Sequence, residues 1–221
     1  MPVNWFHLRP WLLSLEVAAT ATFLNALVAI PLSYLLARRR FPLRWVFDAA
    51  ILLPLVLPPT VVGFALFFLI GRSGLYGMLT HHTLLFTLPA AVLASSVVSF
   101  PLLVLPTRAA FAAIQKEYHE EARIAGLSSR QRFLFIAIPL ARGGILSGLL
   151  LSFARALGEF GATIMLVGTS PATRTLPIQI YYDAGINNDI ASAWPAVIAL
   201  ALTSLAVILL AHRLRWLDID K

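Results

Sequence analysis

The chain has 221 residues, 59% of them hydrophobic and only 12% charged. A soluble domain carries about twice that charged fraction, so a soluble fold is excluded and a single integral membrane domain, 1–221, is expected. There is no cysteine, which excludes disulfides, thiol chemistry and a cysteine-based metal site, and the net charge of +7 is no mark of nucleic-acid binding, because the basic residues gather at the ends of apolar runs.

The first run, 11–36, has no basic stretch before it and exceeds the about 7–15 residues of a signal-peptide core, so no cleavable signal is expected. Further runs at 46–70, 84–106, 143–168 and 194–214 complete five spans, each near the roughly 20 residues a bilayer helix needs. The runs are uninterrupted rather than alternating, so the fold is all-α and not a barrel. Arg38, Arg39, Arg40 and Arg44 follow the first span. Arg108, Lys116, Arg123, Arg130, Arg132 and Arg142 occupy 107–142, and Arg213, Arg215 and Lys221 the tail. The opposite side holds Arg9, Arg72 and Arg174. The positive-inside rule then puts the N-terminus outside, and 107–142 and the C-terminus in the cytoplasm.

The second span contains Pro54, Pro58, Pro59 and Thr60 near mid-bilayer. The prolines remove amides and disturb the preceding turns, and freed carbonyls are tolerated where they face protein or a watery cavity. A broken helix lining a substrate path is one reading and a kink that shapes packing is the other. In the outer segment 71–83, His81 and His82 have no third ligand in view, so no metal is expected.

Segment 107–142 reads as helix, break and helix. Phe111, Ile114, Tyr118, Ala122 and Ala125 recur at helical spacing as a buried face, with Gln115, Lys116, His119, Glu120 and Arg123 opposite. Gly126 is placed to end the first helix in the left-handed conformation. Ser128 and Gln131 form a capping-box start for the second, and Leu127 packs back across the turn. A polar helical hairpin on a membrane protein is a docking surface.

In the fourth span Arg155 and Glu159 lie four residues apart, on one helix face and within pairing reach. Ionisable groups at that depth face a cavity or a partner, so the pair belongs to a translocation path or locks one helix to another. Gly158 and Gly161 permit close helix approach. The outer segment 169–193, with Tyr181, Tyr182, Asp183, Asn187 and Asp189, is either a docking site or a solvated connection. The chain lacks a phosphate-binding G-x-x-x-x-G-K-[ST] loop, a G-x-S-x-G elbow and an H-E-x-x-H pair, so it is not expected to be an enzyme.

Glu120-Glu121-Ala122, then Gly126, then Ile136, Ile138 and Pro139 resemble the EAA loop of ABC importer permeases, with Glu121 in place of an alanine and Ile138 in place of a leucine. The stretches SFARALGEFGATIMLVG and LPLVLPPTVVG are similar to the oxyanion branch of that family, which imports molybdate, tungstate and sulfate. The run from Thr173 to Tyr181 is most similar to the molybdate permeases. The resemblance implies a type I importer permease in the inner membrane of a prokaryote, carrying molybdate or tungstate by alternating access. It implies a second permease copy, two cytoplasmic ATPase subunits that hold ATP and magnesium, and an extracytoplasmic oxyanion-binding protein. It makes Glu120, Glu121, Ala122, Gly126, Ile136 and Pro139 the ATPase-coupling residues. Sulfate or thiosulfate is the rival cargo. A transporter driven by an ion gradient through Arg155 and Glu159 is the rival mechanism, and it leaves the 107–142 hairpin without a role.

Overall fold

The computed structural model describes residues 8–38 and 42–219, and among them all regular structure is helical. Arg39, Arg40 and Lys221, which enter the charge argument, lie outside the described residues, as does the side chain of Arg215. The chain runs through α1 (Leu8–Arg38), α2 (Arg44–Val56), α3 (Pro59–Ile70), α4 (Leu75–Thr80) and α5 (Leu88–Ala113). Then come α6 (Lys116–Ile124), α7 (Ser129–Arg132), a π-helical segment (Phe133–Ala137) and α8 (Ile138–Leu140). α9 (Arg142–Leu157), α10 (Gly161–Val167), α11 (Leu176–Tyr181), a second π-helical segment (Tyr182–Ile186) and α12 (Ile190–Ile219) complete it.

Four stretches are long and apolar enough to cross a membrane: Leu8–Arg38, Pro59–Thr80, Leu88–Ala113 and Ile190–Leu210. A bent pair, Ser129–Leu140 and Arg142–Leu157, meeting at 75°, passes the same test only when its two helices are taken together, as a broken span or a re-entrant loop. α1, α5 and α9 form the centre of the fold. Small residues such as Ala18, Ala21, Ala90, Ala91 and Ala94 are fully buried there, which lets backbones approach where lipid provides no hydrophobic drive. Asn25 ties the three helices together. Its Nδ2 donates to the Ser96 carbonyl at 3.0 Å, the Ser99 hydroxyl at 3.0 Å and the Ser152 hydroxyl at 3.4 Å. α12 lies on the outside, with Trp194, Ile198, Leu202, Leu205 and Leu209 exposed, as a lipid-facing helix would be.

Three expectations need correction. The run 143–168 is not one helix: α9 ends at Leu157, Gly158 to Phe160 are non-helical, and α10 begins at Gly161. Phe160 at φ −126° and ψ −56° breaks the helical path, and Glu159 caps the helix that follows. Next, 107–142 does not begin at a span end. α5 continues to Ala113, and Ile114 and Gln115 form an extended break before α6. The break rotates α6, so that His119 is buried and Tyr118 is 48% exposed, the reverse of the periodicity reading.

Lastly, 169–193 is neither a free docking loop nor a solvated connection along its first half. Thr173, Thr175, Leu176, Ile178 and Asp183 are buried. The Leu176 amide donates to the Ser14 hydroxyl of α1 at 2.7 Å. The Arg174 guanidinium donates to the Thr169 carbonyl at 2.7 Å and lies 3.6 Å from the Tyr182 ring centroid. Gln179 continues this latch with a 2.7 Å bond to Asp183.

Candidate functional site: two broken helices and a coupling hairpin

The break between α2 and α3 falls where the prolines require it. Leu57 and Pro58 are extended, at ψ 144° and 134°, and Pro59 opens α3, where a missing amide costs nothing. α3 then packs along α10. A Cβ on Gly63 would lie 2.8 Å from the Ala162 Cα, and one on Gly161 would lie 3.0 Å from the Pro59 Cβ and 3.4 Å from the Thr60 amide nitrogen. The two sequence motifs singled out inside the membrane, around Pro59 and around Glu159, are therefore brought together, break against break. Pro58 and Thr60 are exposed, whereas Pro54 and Pro59 are half-buried.

Glu159 lies outside both helices of the fourth span, yet it still meets Arg155: Arg155 Nη1 is 2.7 Å from Glu159 Oε2. The other carboxylate oxygen accepts the Ala162 amide at 2.7 Å, satisfying one of the open donors of the first turn of α10 from the residue before its N-cap, Phe160. The Glu159 side chain is 1% exposed and that of Arg155 28%. Of the two, only Arg155 keeps surface for another molecule. Glu159 is held by α9 and α10: one oxygen accepts the Ala162 amide, and the other, buried and without a hydrogen bond of its own, faces the Arg155 charge.

The second part is the hairpin. Gly126 sits at φ +83°, and a Cβ there would meet nothing within 4 Å. Backbone conformation rather than space therefore selects glycine. The Leu127 amide bonds the Ala122 carbonyl at 3.0 Å and the Gly126 amide the Arg123 carbonyl at 3.0 Å, closing the end of α6. The capping box is complete: the Gln131 amide donates to the Ser128 hydroxyl at 3.3 Å, and the Ser128 amide donates to Gln131 Oε1 at 2.9 Å. Ala122 is buried under α6, while Glu120 and Glu121 are exposed beside Tyr118 and the 84%-exposed Ile124. Pro139 lies in α8, just after the π-helical segment, where the Ile138 amide reaches back to the Phe133 carbonyl. The wider turn accommodates a proline ring that would press on the carbonyl four residues earlier in an α-helix. Ile136, on the inner side of that turn, is half-buried.

An aromatic cluster that sequence reasoning missed fastens the hairpin to the spans. The Tyr34 ring of α1 lies 5.3 Å from Phe111 of α5, 4.9 Å from Phe133 and 6.3 Å from His119. Burial first, then the charges of Arg38 and Arg132, hold the His119 imidazole below its usual pKa of 6.5. Asn25 and Glu16 also went unremarked. Glu16, exposed on α1, lines a groove of ≈ 590 Å³ between α1 and α5. Both stood out as the lone amide and lone acid of the first apolar run.

Residues 29–215 match the family model described as the inner membrane component of binding-protein-dependent transport systems. The chain belongs to the ABC transporter permeases. The permease is 39% identical over 204 residues to the molybdenum transport system permease protein ModB of Escherichia coli strain K12, covering 89% of each chain. It is 39% identical over 186 residues to ModB of Azotobacter vinelandii, covering 82% of each. A chain of the inward-facing MetNI methionine ABC transporter superposes with a TM-score of 0.75 at 18% identity, covering 97% of each. A chain of a bacterial alginate ABC transporter does so with a TM-score of 0.75 at 18% identity, covering 92% of the permease and 76% of that chain. The expected fold, an all-α type I importer permease, is thus the observed one. The permease is a multi-pass inner-membrane component of a binding-protein-dependent transport system and is not itself catalytic.

Proposed function

We propose that this permease imports molybdate or tungstate, driven by ATP bound with magnesium on partner ATPases. The observation that carries the cargo assignment is the 39% identity to ModB of Escherichia coli across 89% of both chains. Two identical copies enclose the path, with the N-terminus outside and the C-terminus in the cytoplasm. An extracytoplasmic binding protein delivers the oxyanion.

The path runs beside the paired breaks, past Pro54, Pro58, Pro59, Thr60, Arg155 and Glu159. The half-exposed Arg155 supplies positive charge and the Thr60 hydroxyl a hydrogen bond. Glu159 keeps Arg155 oriented and tempers its field. A path that is only weakly attractive suits release, since a tight site would retain the anion.

Coupling runs through the hairpin. The exposed Glu120 and Glu121 meet basic groups in an ATPase cleft, where Tyr118 and Ile124 supply apolar contact. Closure of the ATPase pair pulls α6. The Tyr34, Phe111 and Phe133 cluster passes that displacement to α1 and α5, and the bend beyond Pro139 passes it to α9. Nucleotide thereby biases an inward–outward equilibrium.

The test is uptake of radiolabelled molybdate into proteoliposomes holding the permease, its ATPase and its binding protein. Excess tungstate should block uptake and excess sulfate should not. Block by sulfate would move the cargo to sulfate or thiosulfate and leave the coupling intact.

A further inference from the structure

The richest unassigned feature is a polar pocket of ≈ 780 Å³ behind α6, where the ends of α1 and α2 meet the hairpin. Arg38, Arg44, Lys116, Arg123 and Arg132 line it, with Glu120 the single carboxylate among the described lining residues. Local acids neutralise this charge only in part. Asp48 lies only 3.8 Å from Arg44, but it is engaged by Arg108 through bonds of 2.5 and 3.2 Å. Arg38 is steadied by a 2.7 Å bond to the Tyr34 hydroxyl and Arg132 by a 3.1 Å bond to the Ser129 hydroxyl. The Arg132 Nε is buried without a partner. His119 also lines the pocket, is only 5% exposed, and has an Nδ1 with no hydrogen-bond partner.

Buried polar nitrogens without partners are costly. Five cations gather around one carboxylate in a concave space; Arg44 and Arg132 are half-buried, and Arg38, Lys116 and Arg123 are exposed and more strongly screened. The unpaired Arg132 Nε–H and the mutual repulsion of the cations are relieved by the same occupant, a compact multivalent oxyanion with several acceptor oxygens. Guanidinium groups fixed by a tyrosine and a serine are preorganised to grip such a group.

We infer that this pocket binds a phosphate-class oxyanion, either the headgroup phosphate of an anionic lipid or a free tetrahedral anion. The pocket lies at the ends of α1 and α2, beside the apolar span α1, and its volume admits a phosphate with its glycerol substituents. A bound anion bridges α1, α2, α6 and α7. Its occupancy therefore stiffens the joint between the hairpin and the spans.

The test uses the assembled permease–ATPase complex in nanodiscs of phosphatidylcholine alone, or of equal parts phosphatidylcholine and phosphatidylglycerol. The ATPase sites are saturated with ADP. Native mass spectrometry counts lipid adducts on the ejected permease. Calorimetric titration with inorganic phosphate, in the phosphatidylcholine discs, reads the free anion. Comparison is with Arg38→Gln/Arg132→Gln and with the milder Lys116→Gln, whose side chain is exposed and whose folding is not at risk. Removing a charge-assisted contact should weaken binding about tenfold per guanidinium. Loss of phosphatidylglycerol adducts in the variants assigns the headgroup source, and weakened phosphate affinity assigns the free anion. If the double variant does not assemble, Lys116→Gln decides, with a smaller loss of the same sign. Equal lipid retention and equal phosphate affinity in wild type and variants would overturn the inference. So would release of the ATPase by the variants when wild type binds neither probe, which would mark the pocket as a seat for an ATPase carboxylate.

Discussion

The Glu159 carboxylate holds two groups at once, the Arg155 guanidinium and the second amide of α10, that of Ala162. Glu159→Ala removes the cap, worth about 1 kcal/mol, and leaves Arg155 without its counter-charge. That second loss falls below the roughly 3–5 kcal/mol of a fully buried pair, because Arg155 is 28% exposed. The variant should destabilise the complex by about 2–3 kcal/mol, read by thermal unfolding. Glu159→Gln keeps an acceptor for the Ala162 amide and should lose about half as much. Equal losses would mean that the cap is immaterial. His119 gives a second expectation. Its folded pKa is lowered, so the unfolded chain takes up a proton that the folded chain refuses. Stability should therefore fall as pH drops below about 6.5 toward the lowered value. His119→Gln should flatten that slope in a phosphate-free buffer, and an unchanged slope would place its origin elsewhere. Residues whose effect is local were legible in the sequence: Pro59 at a helix start, Gly126 at positive φ, Ser128 and Gln131 as a capping box. Tyr34 was not, because its partners lie on other helices and no local pattern names it, and Asn25 stood out only as a lone amide, with nothing to name the helices it ties together.

Among the elements, the decisive contact is α3 against α10. Both begin at a break, and Gly63 lets them touch backbone to backbone. Gly63→Val places a side chain 2.8 Å from the Ala162 Cα and 2.9 Å from its carbonyl oxygen, neither of which can rotate away. The helices must separate, at a cost of about 1–3 kcal/mol or more. Transport should fall along with thermal stability. Gly158→Ala is the control, since its nearest neighbour is 3.8 Å away, and it should change stability by less than about 0.5 kcal/mol. Similar behaviour of the two variants would show that the α3–α10 contact is not tight in the membrane. Element existence and order followed from hydropathy, but their joints did not. The fourth span looked continuous because Gly158, Glu159 and Phe160 do not interrupt an apolar run in the way that Pro58 and Pro59 do. The face of α6 was misread for the same reason: two extended residues, Ile114 and Gln115, reset a helical phase that periodicity carried straight through.

For the whole molecule, composition and charge were enough to place it in a membrane, and the Glu120 to Pro139 spacing was enough to suggest what drives it. What no sequence pattern conveys is the linkage between the two: the hairpin is fastened to α1 and α5 by rings from three separate elements. On the proposed coupling, that linkage is what would carry a displacement of the hairpin into the spans. The most direct measurement compares wild type with Glu120→Arg/Glu121→Arg in proteoliposomes that hold the full complex, recording molybdate uptake with and without ATP. Both side chains are exposed, so the variant should insert and fold as wild type does. ATP-dependent uptake is expected in wild type and uptake at the ATP-free background in the variant. Wild-type uptake by the variant, or uptake that ceases when an ion gradient is collapsed while ATP remains, would contradict it.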